Sequence, residues 1–268
     1  MKNKLTINDI YNLSYVDFMA ILDENNRPPG GKDSIRQLVQ NTYLNSESKV
    51  LDVGCNTGFC TFEIGHIVKC FVTGLDINSN MIDTANSFLG RYHSDLINKV
   101  RFISGDGKKL PFEDNIFDLV MSGGSTAFID NIPQAIEEYA RVTKPWGFIG
   151  DINFFYHTKP PKKLISDLNN MMNINIQPWD ETYWLEQYQK ADLEMYYRTK
   201  GKTSPAENRQ VVEYCRKLID KKDWGIAVKK AASDRLIEIM SLFNENHKYL
   251  SYGVFIMRKQ TVKHDVLF

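Results

Sequence analysis

The chain has 268 residues, 43% hydrophobic and 25% charged, with a formal net charge of zero, enough to bury a large core in one elaborated α/β domain or two small ones. Neutrality argues against a nucleic-acid groove, and no run of about 18 apolar residues offers a membrane span. Cys55, Cys60, Cys70 and Cys215 form no C-x-x-C pair and read as reduced thiols, with no metal site expected, in a cytoplasmic protein without a secretory signal.

Apolar positions Ile10, Leu13, Val16, Ala20 and Ile21 recur at helical spacing and predict one helix over 6–24. Asn25-Asn26-Arg27-Pro28-Pro29-Gly30-Gly31 forces a break, and a second helix is expected from Ile35 to Tyr43. Residues 1–46 are thus an N-terminal helical extension, either a lid or a helical pair packed on a sheet.

Lys49–Val53 reads as a buried strand that breaks at Gly54 and enters a helix after Gly58. Glycine permits a tight turn there and a close approach of ligand to main chain, with the turn's N–H groups set against that ligand. The dinucleotide fingerprint G-x-G-x-x-G fails because Asn56 stands where its second glycine belongs. The phosphate loop G-x-x-x-x-G-K-[ST] fails because no Lys-Ser or Lys-Thr follows Gly58. What remains is D-x-G-x-x-x-G, from Asp52 to Gly58.

A second strand, Cys70 to Leu75, leads to Asp76, an acid suited to accept from both hydroxyls of a ribose. A helix follows to about Tyr92, with Ile77 and Met81 placed to pack on an adenine ring, although Met81 reads nearly as well as core. A third strand, Val100 to Ser104, ends in Gly105-Asp106-Gly107. A fourth, Phe117 to Met121, opens into Ser122-Gly123-Gly124-Ser125-Thr126-Ala127-Phe128. An amphipathic helix from Ile132 to Val142 and a fifth strand from Phe148 to Phe154 complete the alternation.

The Asp52–Gly58 motif with Asp76 and Asp106 resembles class I S-adenosylmethionine-dependent methyltransferases of the small-molecule subgroup, over about residues 49–155. The resemblance implies S-adenosyl-L-methionine as cofactor, bound by Asp52, Gly54, Cys55, Asn56, Gly58, Asp76, Ile77, Met81, Asp106, Gly107 and Ser122. Within it, Asp106 would receive the adenine amino group. It also implies a doubly wound, seven-stranded, mostly parallel sheet, with a helix from Glu181 to Ala191, a sixth strand from Leu193 to Thr199, and Tyr249 to Lys259 as an antiparallel edge strand. Trp146 departs from the family's Pro-Gly-Gly turn.

Core segments 47–204 and 248–262 would then flank a helical cap insertion at 205–247, which either builds the acceptor pocket or is a surface or dimer-contact pair. His157 and Tyr15 are the candidate catalytic residues, and Tyr11, Arg27 and Phe128 the candidate substrate contacts, with Arg27 suited to an acidic group of either the substrate or the cofactor; a surface-loop histidine, a packed tyrosine and a solvated arginine are the plain alternatives. The absence of an Asn/Asp-Pro-Pro-Tyr/Phe motif after the fourth strand, and of a Pro-Cys pair, argues against base methylation. The expected reaction is transfer to O or N of a small metabolite by a monomer or homodimer, with no nucleic acid or membrane as partner. Rival readings are a peptide or protein methyltransferase, a non-catalytic adenosyl-cofactor-binding partner, and a nicotinamide oxidoreductase, disfavoured by the missing glycine.

Overall fold

The computed structural model describes residues 5–23 and 27–260 and divides them into two units. Residues 27–155, 179–201 and 252–260 make a sheet unit, and 5–23, 156–178 and 202–251 a helical unit. The expected boundaries differ: 27–46 belong with the sheet, whereas 5–23 and 156–178 join the inserted helices. Asn25, Asn26 and the expected core end at 261–262 lie outside the described residues.

In chain order the helices are α1 (Ile7–Asn12), α2 (Tyr15–Ile21), α3 (Gly31–Gln40), α4 (Phe59–Val68), α5 (Ser79–Tyr92), α6 (Ile132–Val142), α7 (Lys162–Met172), α8 (Glu181–Lys190), α9 (Asn208–Asp220) and α10 (Ile226–Asn246). The strands are β1 (Lys49–Val53), β2 (Phe71–Asp76), β3 (Val100–Ser104), β4 (Phe117–Ser122), β5 (Thr143–Tyr156), β6 (Leu193–Lys202) and β7 (Leu250–Lys259), in the order β3-β2-β1-β4-β5-β7-β6. β1 pairs in parallel with β2 and β4, β2 with β3, and β4 with β5. The sheet is mostly parallel with one antiparallel hairpin, as the sequence implied.

Side chains alternate between the two faces of a strand. Val50, Val72, Leu119, Met121 and Ile152 pack with Ile35, Leu38, Ile64 and Ala85 of α3, α4 and α5. Leu51, Val53, Val120, Ile149 and Phe255 pack with Ile136, Tyr139, Trp184 and Tyr188 of α6 and α8.

Two expectations change and one helix is added. The helix over 6–24 is two, because Ser14 is a second N-cap: its Oγ accepts from the Asp17 amide at 3.1 Å, as Thr6 does from Asp9 at 3.2 Å. β7 is not the edge strand. Its run Val254-Phe255-Ile256-Met257 is fully buried, which suits a strand covered on both sides, while β6 alternates between covered and exposed positions and takes the edge. α7, which the sequence reading left unassigned, buries Leu164, Leu168 and Met172 against Tyr15, Leu242 and Phe243 in the helical unit.

Candidate cofactor site

The strand order reverses between β1 and β4, and open α/β sheets bind ligands outside the carboxyl ends of their strands at such a switch point. The alternation of β1 aims Asp52 toward α4, where the Thr61 hydroxyl donates to its Oδ2 at 2.6 Å. Asp52 is 1% exposed, and burial pushes its carboxyl up to about 7 despite that bond, the charge of Asp76 adding to the rise. It braces the turn from beneath.

The turn is held by its own chain. The amides of Gly54 and Cys55 donate to the Leu75 carbonyl at 2.7 and 3.0 Å, that of Gly58 to the Cys55 carbonyl at 2.9 Å, and that of Asn56 to Asp76 Oδ2 at 2.9 Å. These four amides are therefore committed within the chain, which narrows the sequence expectation of N–H groups set against a ligand. The glycines also answer to protein neighbours. Gly54, at φ 70°, faces the Ser125 side chain where a Cβ would stand; at Gly58, φ 93°, a Cβ would lie 2.7 Å from the Phe102 ring and 2.8 Å from that of Phe62.

Asp76 closes β2, 8% exposed, with Oδ1 accepting from the Asn78 amide at 2.9 Å; burial raises its pKa. Ile77 is 72% exposed and is free to lie against a ring, whereas Met81 is 1% exposed and turned inward on α5. Helix phase separates them: Ile77 precedes the Asn78 cap, and Met81 sits one turn inside. Asp106 accepts from the Lys108 amide at 2.9 Å and keeps its carboxylate partly exposed, while Gly107 is buried, with Val53 and Ile129 where a side chain would go.

On the β4 side, Ser122 is fully buried, its Oγ 2.9 Å from Ser125 Oγ and accepting from the Thr126 amide at 3.1 Å. It shapes the loop from inside. Ser125 donates to the Val53 carbonyl at 2.6 Å and so joins the loops after β1 and β4, a tie that sequence reading missed. Thr126 and Tyr188 donate to Asp151 of β5 at 3.0 and 2.9 Å; this carboxyl is 1% exposed and burial pushes it up to about 7. Phe128, half exposed, follows in a 3-10 turn, Thr126–Phe128. Arg27 stands over Phe59, with its guanidinium carbon 5.7 Å from the ring centroid.

The other three candidates belong to the helical unit. Tyr11 on α1 is 56% exposed, and Tyr15 packs at 5.9 Å from Phe243. His157 donates its amide to the Tyr249 carbonyl at 3.0 Å, and its Nδ1 is 3.1 Å from Ser251 Oγ.

These acceptors suit a particular ligand: a carboxylate for a diol at β2, an exposed apolar side chain beside it, a carboxylate for an amino group after β3, and a turn whose Gly54, Cys55, Asn56 and Gly58 amides are already taken. Residues 51–150 match the sequence profile of the family described as "Methyltransferase domain". Residues 51–150 therefore form a domain of the class I S-adenosylmethionine-dependent methyltransferase kind. It is a transferase whose cofactor is S-adenosyl-L-methionine.

The methyltransferase fold resembles that of the MccD protein in its crystal structure, with TM-score 0.74 at 25% identity, covering 88% of this chain and 100% of that one. A sterol 24-C-methyltransferase from Gibberella zeae is 35% identical over 42% of this chain and 29% of its own length. A demethylmenaquinone methyltransferase from Staphylococcus haemolyticus is 31% identical over 50% of this chain and 54% of its own. The chain thus spans about a third to a half of these two relatives. Among the described residues, no helix is long and apolar enough to cross a membrane.

Proposed function

We propose that this methyltransferase moves a methyl group to an oxygen or nitrogen atom of a small metabolite by in-line displacement. The observation that carries the reading is the row of acceptors along the strand ends, Asp106 after β3 and Asp76 at β2, leading to the gap between β1 and β4. It supports an adenosyl ligand whose reactive end lies at the switch point. When bound, S-adenosylmethionine supplies a methyl group already activated on a sulfonium. The protein's task is then alignment, which contributes roughly 7–11 kcal/mol. Phe128, beside that gap, is proposed to line the acceptor side, with Tyr11 as a second contact. An acceptor that must lose a proton needs a base worth about 10²–10⁴-fold, and His157 or Tyr15 is proposed for it. The insertion at 205–247 is proposed to contribute to acceptor binding, and the setting is proposed as cytoplasmic.

A second reading comes from the name of one relative, a sterol 24-C-methyltransferase: transfer to carbon. Incubation with ¹³C-methyl S-adenosylmethionine and a panel of phenols, amines, isoprenoids and quinols separates the two, because the methyl carbon shift distinguishes O-, N- and C-methyl products. An O- or N-methyl product supports the first reading and a C-methyl product the second. Tight binding of S-adenosylhomocysteine without transfer to any acceptor, peptides included, would favour a cofactor-binding partner protein.

A further inference from the structure

The loops that follow β3 and β4 meet at Lys108. Its amide donates to Asp106 Oδ1 at 2.9 Å, and its carbonyl accepts from Gln134 Nε2 of α6 at 3.0 Å, so its main chain is fixed on both sides. The ammonium is left to choose between two carboxylates. It stands 2.6 Å from Asp130 Oδ1 and 3.8 Å from Asp106 Oδ2, and so donates to Asp130. That bond raises the pKa of the lysine and lowers that of the aspartate, which keeps both charged at neutral pH. Asp106 Oδ2 accepts no hydrogen bond among the described residues.

This choice bears on how position six of a purine is read. A 6-amino group donates, whereas a 6-oxo group accepts. Asp106 offers only an acceptor; the Lys108 ammonium beside it offers only donors. Turned onto Asp106, the ammonium would take the oxygen that an adenine amino group needs and would present donors to a hypoxanthine oxygen. We propose that Asp130 is a positioning residue that sets the base preference of the cofactor site: it holds Lys108 aside, leaving Asp106 free for an adenine amino group and disfavouring 6-oxo purines. The inference rests on the placement of that amino group at Asp106 above. The Asp130 side chain is 79% exposed, so the effect is that of a solvated ion pair, several-fold and screened by salt.

The test is titration calorimetry of the full chain at low ionic strength with S-adenosylhomocysteine and with S-inosylhomocysteine, its 6-oxo counterpart. The unsubstituted protein should bind the adenosyl ligand at least about tenfold more tightly. Asp130→Asn should cut that preference about 3- to 5-fold. Adding Lys108→Ala to Asp130→Asn should restore it, because the ammonium that strays is gone, and Lys108→Ala alone should keep it. The ratio of two affinities in one preparation is insensitive to any misfolded fraction. A preference unchanged in Asp130→Asn, or reduced equally in the double variant, overturns the proposal. Equal affinity of the unsubstituted protein for the two ligands removes the amino-group placement at Asp106 and the proposal with it, and is distinguishable because it needs no substitution.

Discussion

The backbone amide of Asn56 donates to Oδ2 of Asp76 at 2.9 Å, so the carboxylate assigned to the ribose is also the clasp of the turn after β1. Asp76→Ala removes both roles at once. Affinity for S-adenosylhomocysteine should fall by about 1–3 kcal/mol, and the melting temperature should drop because the amides of Asn56 and Asn78 lose their acceptor. Calorimetry and thermal unfolding read the two effects separately. An unchanged affinity would sink the placement of the ribose.

Gly54→Ala puts a side chain at φ 70° and drives its Cβ into Ser125. The backbone contributes about 1–2 kcal/mol of the loss and the overpacking about 1–3 kcal/mol. Ser125→Gly relieves only the second part, so the double variant should be more stable than the sum of the two single changes. Denaturant unfolding of all four proteins measures that coupling. Strict additivity would mean that the two residues do not meet.

Asp151 ties the stability of the sheet unit to pH. Burial raises its carboxyl to about 7, so the folded protein keeps a proton that the unfolded chain releases near pH 4. The folded state binds the extra proton between those values, and its stability falls as pH rises from about 4 to about 7, then levels off. Asp52, raised to about 7 as well, acts in the same sense. Asp151→Asn should therefore flatten the fall in melting temperature from about pH 5 to about pH 7 relative to the unsubstituted protein. Parallel curves would show that this carboxyl does not titrate in that window.

Arg235 organises the helical unit. Its guanidinium donates to the carbonyls of Ile10 and Leu13 at the end of α1, and lies 4.5 Å from the centroid of the Phe18 ring. Arg235→Ala leaves those carbonyls without a charged donor, a loss of about 1.5–3 kcal/mol. Hydrogen exchange should accelerate about 10- to 100-fold across α1 and α2, with the strands of the sheet unit unaffected. Acceleration spread evenly over the chain would instead indicate global destabilisation.

Much of the sheet was legible because its signals are local. The strand–glycine–helix pattern around Asp52 and Gly58 and the spacing to Asp76 require only neighbouring residues. The caps at Thr6 and Ser14 were present too, as T-x-x-D and S-x-x-D, and would have divided the first helix. What escaped were contacts between distant segments. Nothing near Gly54 announces Ser125, 71 positions on, as the side chain that demands a glycine there. Thr61 beneath Asp52 and Arg27 over Phe59 likewise exist only once the strands are ordered. Met81 was misplaced as an adenine contact because one turn of helix decides which apolar residue faces out.

The inward-facing amides of the β1–α4 turn bear on life in a crowded metabolite pool. ATP and NAD carry the same adenosine as the cofactor and far more negative charge, yet a pyrophosphate arriving at this turn meets amides already committed to Leu75, Cys55 and Asp76. Of these four committed amides, those of Gly54, Cys55 and Gly58 are held by main-chain carbonyls, and only that of Asn56 depends on a side chain, Asp76, for its partner.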